Sequence, residues 1–210
     1  MSYLNIVRNI RNGVPKSFDP NLKPDHDGER AAVMRRLEIY DTPSEEIFSA
    51  YTELAALTFK APIGLMSFVD VDTVFYKQAY GVERTGQIVD RKNSPCSLAI
   101  MSKDVTQFRY ALSEPCVLAD EKTLAGIGYK FYAGAPMITK DGFAIGILAV
   151  VDKTPRVYSD DELKNLKELA IEVMREVELR YELKKGNTSI HELNLRLKEL
   201  HKRVERLRHQ

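Results

Sequence analysis

Two thiols, one strand-end carboxylate and a few strand aromatics are the residues whose types and spacing could do chemistry in this chain. Cys96 follows Ser94-Pro95, a pair that opens a short helix through Leu98, Ala99 and Ile100. A thiol near a helix N-terminus has its pKa lowered by the dipole, so redox chemistry or covalent attachment is what Cys96 could offer. No histidine lies near it in sequence, and a buried apolar cysteine is the commoner case. Asp120 ends a short strand at Cys116–Ala119. It either accepts a hydrogen bond from a ligand or caps the turn at Lys122-Thr123-Leu124. Phe68, Tyr76, Tyr132 and Met137 are candidate pocket-lining positions, although aromatics at strand spacing are more often core. Tyr132 stands out because a buried phenol needs a partner. The candidate ligand-binding set is therefore Phe68, Tyr76, Cys96, Asp120, Tyr132 and Met137.

No catalytic set emerges. There is no Ser-His-Asp arrangement, no metal-ligand spacing, no phosphate-binding glycine loop and no paired carboxylates in helical register. Three of the four histidines, His191, His201 and His209, sit in the C-terminal tail and read as solvated helix positions. The expectation is a non-enzyme with no metal site and no assignable cofactor.

The elements that must position these residues alternate between two periods. A helix is expected over 29–39, with Ala32, Val33 and Leu37 on one side. Thr42, Pro43 and Glu45 form the start signal of a second, which carries Ile47, Phe48, Tyr51, Leu54, Ala55 and Leu57. Residues 63–69 alternate as a strand apolar on both faces, so both faces need cover. Asp70-Val71-Asp72 turns the chain into a returning strand, Thr73 to Tyr80. Residues 82–93 read as polar and turn-rich. Strands are expected over 129–138 and 143–151, joined by Lys140-Asp141-Gly142 as a type I′ hairpin. The small side of the last strand, Ala144 and Gly146, would let a helix backbone approach. Ser159 and Glu162 form a capping box for a long helix. Gly186 to Ser189 interrupts that helix. A stripe of Ile190, Leu193, Leu197, Leu200, Val204 and Leu207 follows, in the three-four alternation of a coiled-coil seam.

The fold class is α+β: an antiparallel sheet of about five to six strands with terminal helices on one face. Loops and short helices from residues 82–130 roof the other face, a natural place for a closed small-molecule pocket. Residues 1–28 form an N-terminal arm, 29–185 the domain with its terminal helix, and 186–210 an amphipathic helix. The stripe needs a partner, either a second copy in a coiled coil or the chain's own domain.

Composition narrows the class further. The chain has 210 residues, 44% apolar and 29% charged, enough for a core. With 31 basic and 30 acidic residues the net charge is +1, which gives no long-range pull toward nucleic acid or anionic lipid. No apolar run reaches membrane-spanning length, and the first 13 residues lack the apolar core of a signal peptide. Two cysteines cannot build a disulfide framework, so a reduced, cytoplasmic setting is expected.

Four stretches together resemble a GAF domain, a small-molecule sensing and dimerising module. They are residues 40–48 (Tyr-Asp-Thr-Pro-Ser-Glu-Glu-Ile-Phe), 61–70, 131–136 (Phe-Tyr-Ala-Gly-Ala-Pro) and 142–152. The resemblance spans roughly residues 29–182 and is closest to the bacterial subgroup at the front of sensor kinases and cyclases. It implies a sensory or regulatory domain acting in signal transduction through dimer helices. The partners implied are an unidentified small molecule, a second copy and a downstream signalling protein. Bilin-binding members commonly carry Cys-His where this chain has Cys96-Ser97, so no covalent chromophore is expected. Two alternatives stay open: a ligand-free dimeric scaffold working through its helical tail, and a thiol redox sensor using Cys96.

Overall fold

The computed structural model describes residues 23–40, 45–108, 129–186 and 190–209. Its strands are β1 (Ile63–Val69), β2 (Thr73–Tyr80), β3 (Ile88–Asp90), β4 (Thr106–Phe108), β5 (Phe131–Ile138) and β6 (Ala144–Asp152). They form one antiparallel sheet in the order β3-β2-β1-β6-β5-β4. The sequence missed β3 and β4, whose three residues each are too few to show a period. The strand expected at 116–119 and the helical turn at 124–127 lie outside the described residues.

Among the described residues, five α-helices accompany the sheet: α1 (Asp27–Arg36), α2 (Glu46–Thr58), α3 (Cys96–Ala99), α4 (Asp160–Lys184) and α5 (Ile190–Arg208). The alternation of side chains along the strands splits the interior into two cores. Met66, Phe68, Phe131, Ala133 and Met137 pack with α2 and α4. Leu65, Val74, Tyr76, Tyr132, Ile147 and Ala149 pack with Cys96, Ala99 and Ile100 around α3. A helix-covered face and a roof face are thus both present.

Several elements start or stop for different reasons than the sequence suggests. The helix α2 begins at Glu46 with Glu45 as an N-cap that makes no side-chain capping bond; Thr42 and Pro43 lie outside the described residues. It ends in a Schellman motif on a non-glycine residue. Lys60 takes a left-handed φ of 50°, Ala61 N–H donates to Ala56 O, and Lys60 N–H to Leu57 O. The expected capping box at Ser159 and Glu162 forms in full. The β5–β6 hairpin is not type I′, which would require positive φ at both central residues. Only Gly142 is left-handed, at 85°, and Thr139 N–H donates to Phe143 O across a three-residue loop. The helix backbone approaches the sheet at Gly64, where a Cβ would overlap the Thr52 carbonyl oxygen. A Cβ on Gly146 would overlap the Ser67 carbonyl oxygen of the neighbouring strand, then meet Met137 Cε at 2.5 Å and Phe68 Cδ1 at 2.9 Å, and no helix backbone.

In α1 the buried stripe is Asp27, Arg30, Ala31 and Met34, while Ala32 is exposed. The stripe expected from apolar residues is displaced because paired charges can be buried. Asp27 Oδ1 accepts from Arg30 Nε at 2.7 Å, and its Oδ2 accepts from Arg91 at 2.7 Å. Arg30 also donates to the Val69 carbonyl, and Arg91 to those of Asp70 and Val71. This cluster locks α1 and the turn after β3 to the β1–β2 connection.

The helix α5 folds back onto the domain. His201 lies 3.5 Å from Glu46 and Arg208 2.7 Å from Glu53, so α5 runs parallel to α2. Arg196 and Arg203 reach Glu176 and Glu172 on α4 at 3.3 and 2.6 Å. Leu200 and Val204 are buried against the domain, and Leu197 and Leu207 are partly so. In this arrangement the expected seam is filled by the chain's own helices rather than by a second tail.

Candidate functional site

The roof face gathers three of the six candidate residues. Tyr76 on β2, Tyr132 on β5 and Cys96 at the start of α3 are all buried. Tyr132 Oη donates to Cys96 Sγ at 3.6 Å. The Tyr132 ring lies back along its own strand over Gly134, where a Cβ would overlap the phenol; only glycine leaves that space. Phe108 flanks the same ring, centroid to centroid 5.7 Å. Ser94 ties the short helix to the sheet. Its Oγ is 3.2 Å from Tyr76 Oη and accepts from Cys96 N–H at 3.3 Å, while its carbonyl accepts from Ser97 Oγ at 2.6 Å.

Both phenols are held protonated. Burial raises the Tyr132 pKa well above its ordinary value, and the neighbouring thiol adds to it. Burial and then Cys96 do the same for Tyr76, against a lowering by the Ser94 hydroxyl. At neutral pH the site therefore presents neutral O–H donors and a thiol in an apolar setting. Among the described residues the Arg84 guanidinium stands beside it, 5.5 Å from the Tyr76 ring centroid and hydrogen-bonded to Tyr129.

Phe68 and Met137 are on the other face, in the core beneath α2 and α4, where they meet over Gly146. They do not border the roof side. The reason is alternation: Tyr132 and Met137 are five residues apart on one strand, and Phe68 is out of phase with Leu65. Asp120 and Cys116 lie outside the described residues.

The sequence reading overlooked one residue at the centre of this face. Ser67 lies between Leu65 and Val69 on β1, opposite Tyr76 on one side and Ile147 on the other. Its side chain is fully buried and its hydroxyl has no hydrogen-bond partner among the described residues. A lone hydroxyl in a strand apolar on both faces was the available signal, since such a group costs about 1–3 kcal/mol when nothing meets it. Among the described residues, no group of three His, Cys, Asp or Glu is placed to hold a metal.

The GAF domain family model matches residues 43–177. This chain belongs to the GAF domain family. A cyclic di-GMP phosphodiesterase of Pseudomonas aeruginosa is 28% identical to this GAF protein over 133 residues, 63% of this chain. Those residues make up 22% of the phosphodiesterase, so the chain spans about a fifth of that relative's length. Among solved structures, the blue-light absorbing form of the PixJ GAF domain of Thermosynechococcus elongatus superposes with a TM-score of 0.55 at 12% identity. The match covers 77% of this chain and 96% of that one. The GAF domain of an Acinetobacter phosphoenolpyruvate-protein phosphotransferase gives 0.54 at 14% identity, over 76% and 98% of the two chains. At these identities the likeness is one of fold. No helix among the described residues is long and apolar enough to cross a membrane.

Proposed function

We propose that this GAF domain is a non-catalytic, cytoplasmic regulator that takes up a small molecule on its roof face. It acts in signal transduction as a homodimer, passing the bound state to a downstream protein through the helices on the opposite face. The observation that carries this reading is the unpartnered Ser67 hydroxyl at the centre of an apolar face. That face also presents two protonated phenols, one of them committed to a thiol. Such a surface suits a ligand with an apolar body and one or two hydrogen-bonding groups, and Arg84 favours a negative end. The sheet is one side chain thick, so a change at Ser67 is felt by Met66 and Phe68, which pack toward α2 and α4.

Native mass spectrometry of the full chain purified from its host tests this. The expected result is a retained small molecule whose occupancy falls in Ser67→Ala and Tyr132→Phe. A chain that carries nothing, and takes up nothing from a host metabolite extract, supports the ligand-free scaffold instead. The redox alternative finds less support, because Cys96 has no exposed surface.

A further inference from the structure

The helix α5 is held on its own domain by few apolar contacts and many charges. Its buried apolar side chains are Leu200 and Val204. Around them Glu46 and Glu53 on α2 pair with His201 and Arg208, and Glu172 on α4 pairs with Arg203. Each of these pairs has an exposed basic member, so each contributes little and is screened by salt. Glu176 differs from them. It lies one turn beyond Glu172 on α4, next to Val177 of the buried stripe, and has no exposed surface. Neither of its carboxylate oxygens has a hydrogen bond among the described residues. Arg196 of α5, itself part-exposed, stands 3.3 Å away.

The groups around this carboxylate come from three helices. Tyr51 approaches from α2, and Arg196 and Glu192 from α5. On α4 itself Glu172, already paired with Arg203, is one turn away. Arg196 thus works against both full burial and a second carboxylate, and the balance falls against the charged form. Burial holds the Glu176 carboxyl above its ordinary range, Arg196 lowers it and Glu192 adds to the rise. Both members of the Glu172–Glu176 row are met by arginines of α5, so this row of α4 is the one that α5 covers. Lifting α5 returns the Glu176 carboxylate to water.

We propose that Glu176 makes α5 a pH-sensitive latch, closed on α2 and α4 while the carboxyl is protonated and released as it ionises. An ionised carboxylate is well solvated when the latch is open and costly when it is closed, because no hydrogen bond replaces its water. Closure is therefore favoured at low pH. It weakens by up to about tenfold per pH unit between the ordinary and the raised carboxyl range, then levels off. With only two apolar side chains of α5 buried beneath it, the helix has little else to keep it down. His201 pairs with Glu46 as a charged group only when protonated, so the interface holds a second titratable contact that has to be separated from the first. The latch does not depend on whether the roof face holds a ligand.

Hydrogen exchange of the full chain, corrected for the intrinsic pH dependence of exchange, reads closure as protection over 190–208. From pH 5 to pH 7.5 the wild-type protection of α5 should fall about threefold or more, while that of β1 and β6 holds. Glu176→Gln, neutral at every pH, should keep α5 protected and remove the fall. Arg196→Gln takes away the counter-ion and should deepen the fall. His201→Gln should leave it in place. Protection of α5 that is constant with pH in the wild type, a fall that persists in Glu176→Gln, or one that vanishes in His201→Gln overturns the proposal. Should Glu176→Gln also lose protection of β1 and β6, the part-exposed Arg196 decides: a deeper fall in Arg196→Gln supports the latch, and an unchanged one overturns it.

Discussion

The hydroxyl of Tyr132 and the thiol of Cys96, 36 positions apart in the chain, meet at 3.6 Å across the roof face. The contact joins the strand to the short helix at a point where both side chains are closed to water. Tyr132→Phe keeps the ring over Gly134 and removes only the donor. A neutral hydrogen bond to sulfur is weak, so the loss should be about 0.5–1 kcal/mol by urea denaturation. A loss several times larger would mean that the phenol supports more than this one bond.

Ser67→Ala should behave in the opposite way. Deleting a buried hydroxyl that has no partner should leave the unliganded protein as stable or more stable, by up to about 1 kcal/mol. The same change should lower retention of any roof-face ligand. A clear destabilisation of the unliganded chain would show that Ser67 is satisfied in solution and is structural.

Co-expression with bilin synthesis should leave the protein colourless. Cys96 is fully buried, accepts from Tyr132 and is followed by Ser97 rather than histidine. A zinc-fluorescent band that disappears in Cys96→Ala would contradict this.

Burial pushes the Glu176 carboxyl above its ordinary range, with Glu192 adding to the rise and Arg196 opposing it. Tyr51 also faces it, from α2. A folded pKa above the unfolded one stabilises the folded state at low pH. That stability is lost as pH rises through the raised value. Glu176→Gln should therefore raise the urea midpoint at pH 7.5 and change it little at pH 4. Equal shifts at both pH values would rule out titration of Glu176 as the cause.

For Asp27 the sign is reversed. Burial raises its pKa, but the hydrogen bonds from Arg91 and Arg30 outweigh burial and hold it below 3.8. Its stabilising effect is present above the ordinary carboxylate range and fades as pH falls through the lowered value. Asp27→Asn leaves two buried guanidiniums without their counter-ion and should cost about 3–5 kcal/mol at pH 7. A loss under about 1 kcal/mol by urea denaturation would show that the arginines find other partners.

The two-faced sheet, the capping box at Ser159 and the break after Lys185 were legible because each rests on local chemistry: alternation, a cap, a left-handed glycine. The four motif stretches made the family legible as well. Much of the site was not. Phe68 and Met137 satisfied a rule of residue type, apolar and on a strand, but their phase sent them to the other face. Ser67 carried a local signal, a lone hydroxyl in an apolar strand, but the neighbours that leave it unmet, Tyr76 and Ile147, come from two other strands. The burial of Asp27 and Arg30 depended on Arg91, 64 residues away from Asp27 in the chain. The direction taken by α5 was equally open, since its stripe fits any apolar seam and the deciding carboxylates are on α2 and α4.

The glycine at position 64 has a mechanical side. With no side chain there, the peptide of Thr52 rests on the peptide of β1, carbonyl against α-carbon. Side chains between a helix and a sheet act as a cushion, taking up small displacements by changing rotamer. This spot has no cushion. A sub-ångström shift of β1 at this point reaches α2 without that cushion. The rest of the helix, bedded on soft side chains, can then pivot about that fixed point. Such a contact works as a fulcrum, turning a small push on the sheet into a tilt at the helix end that carries Glu46.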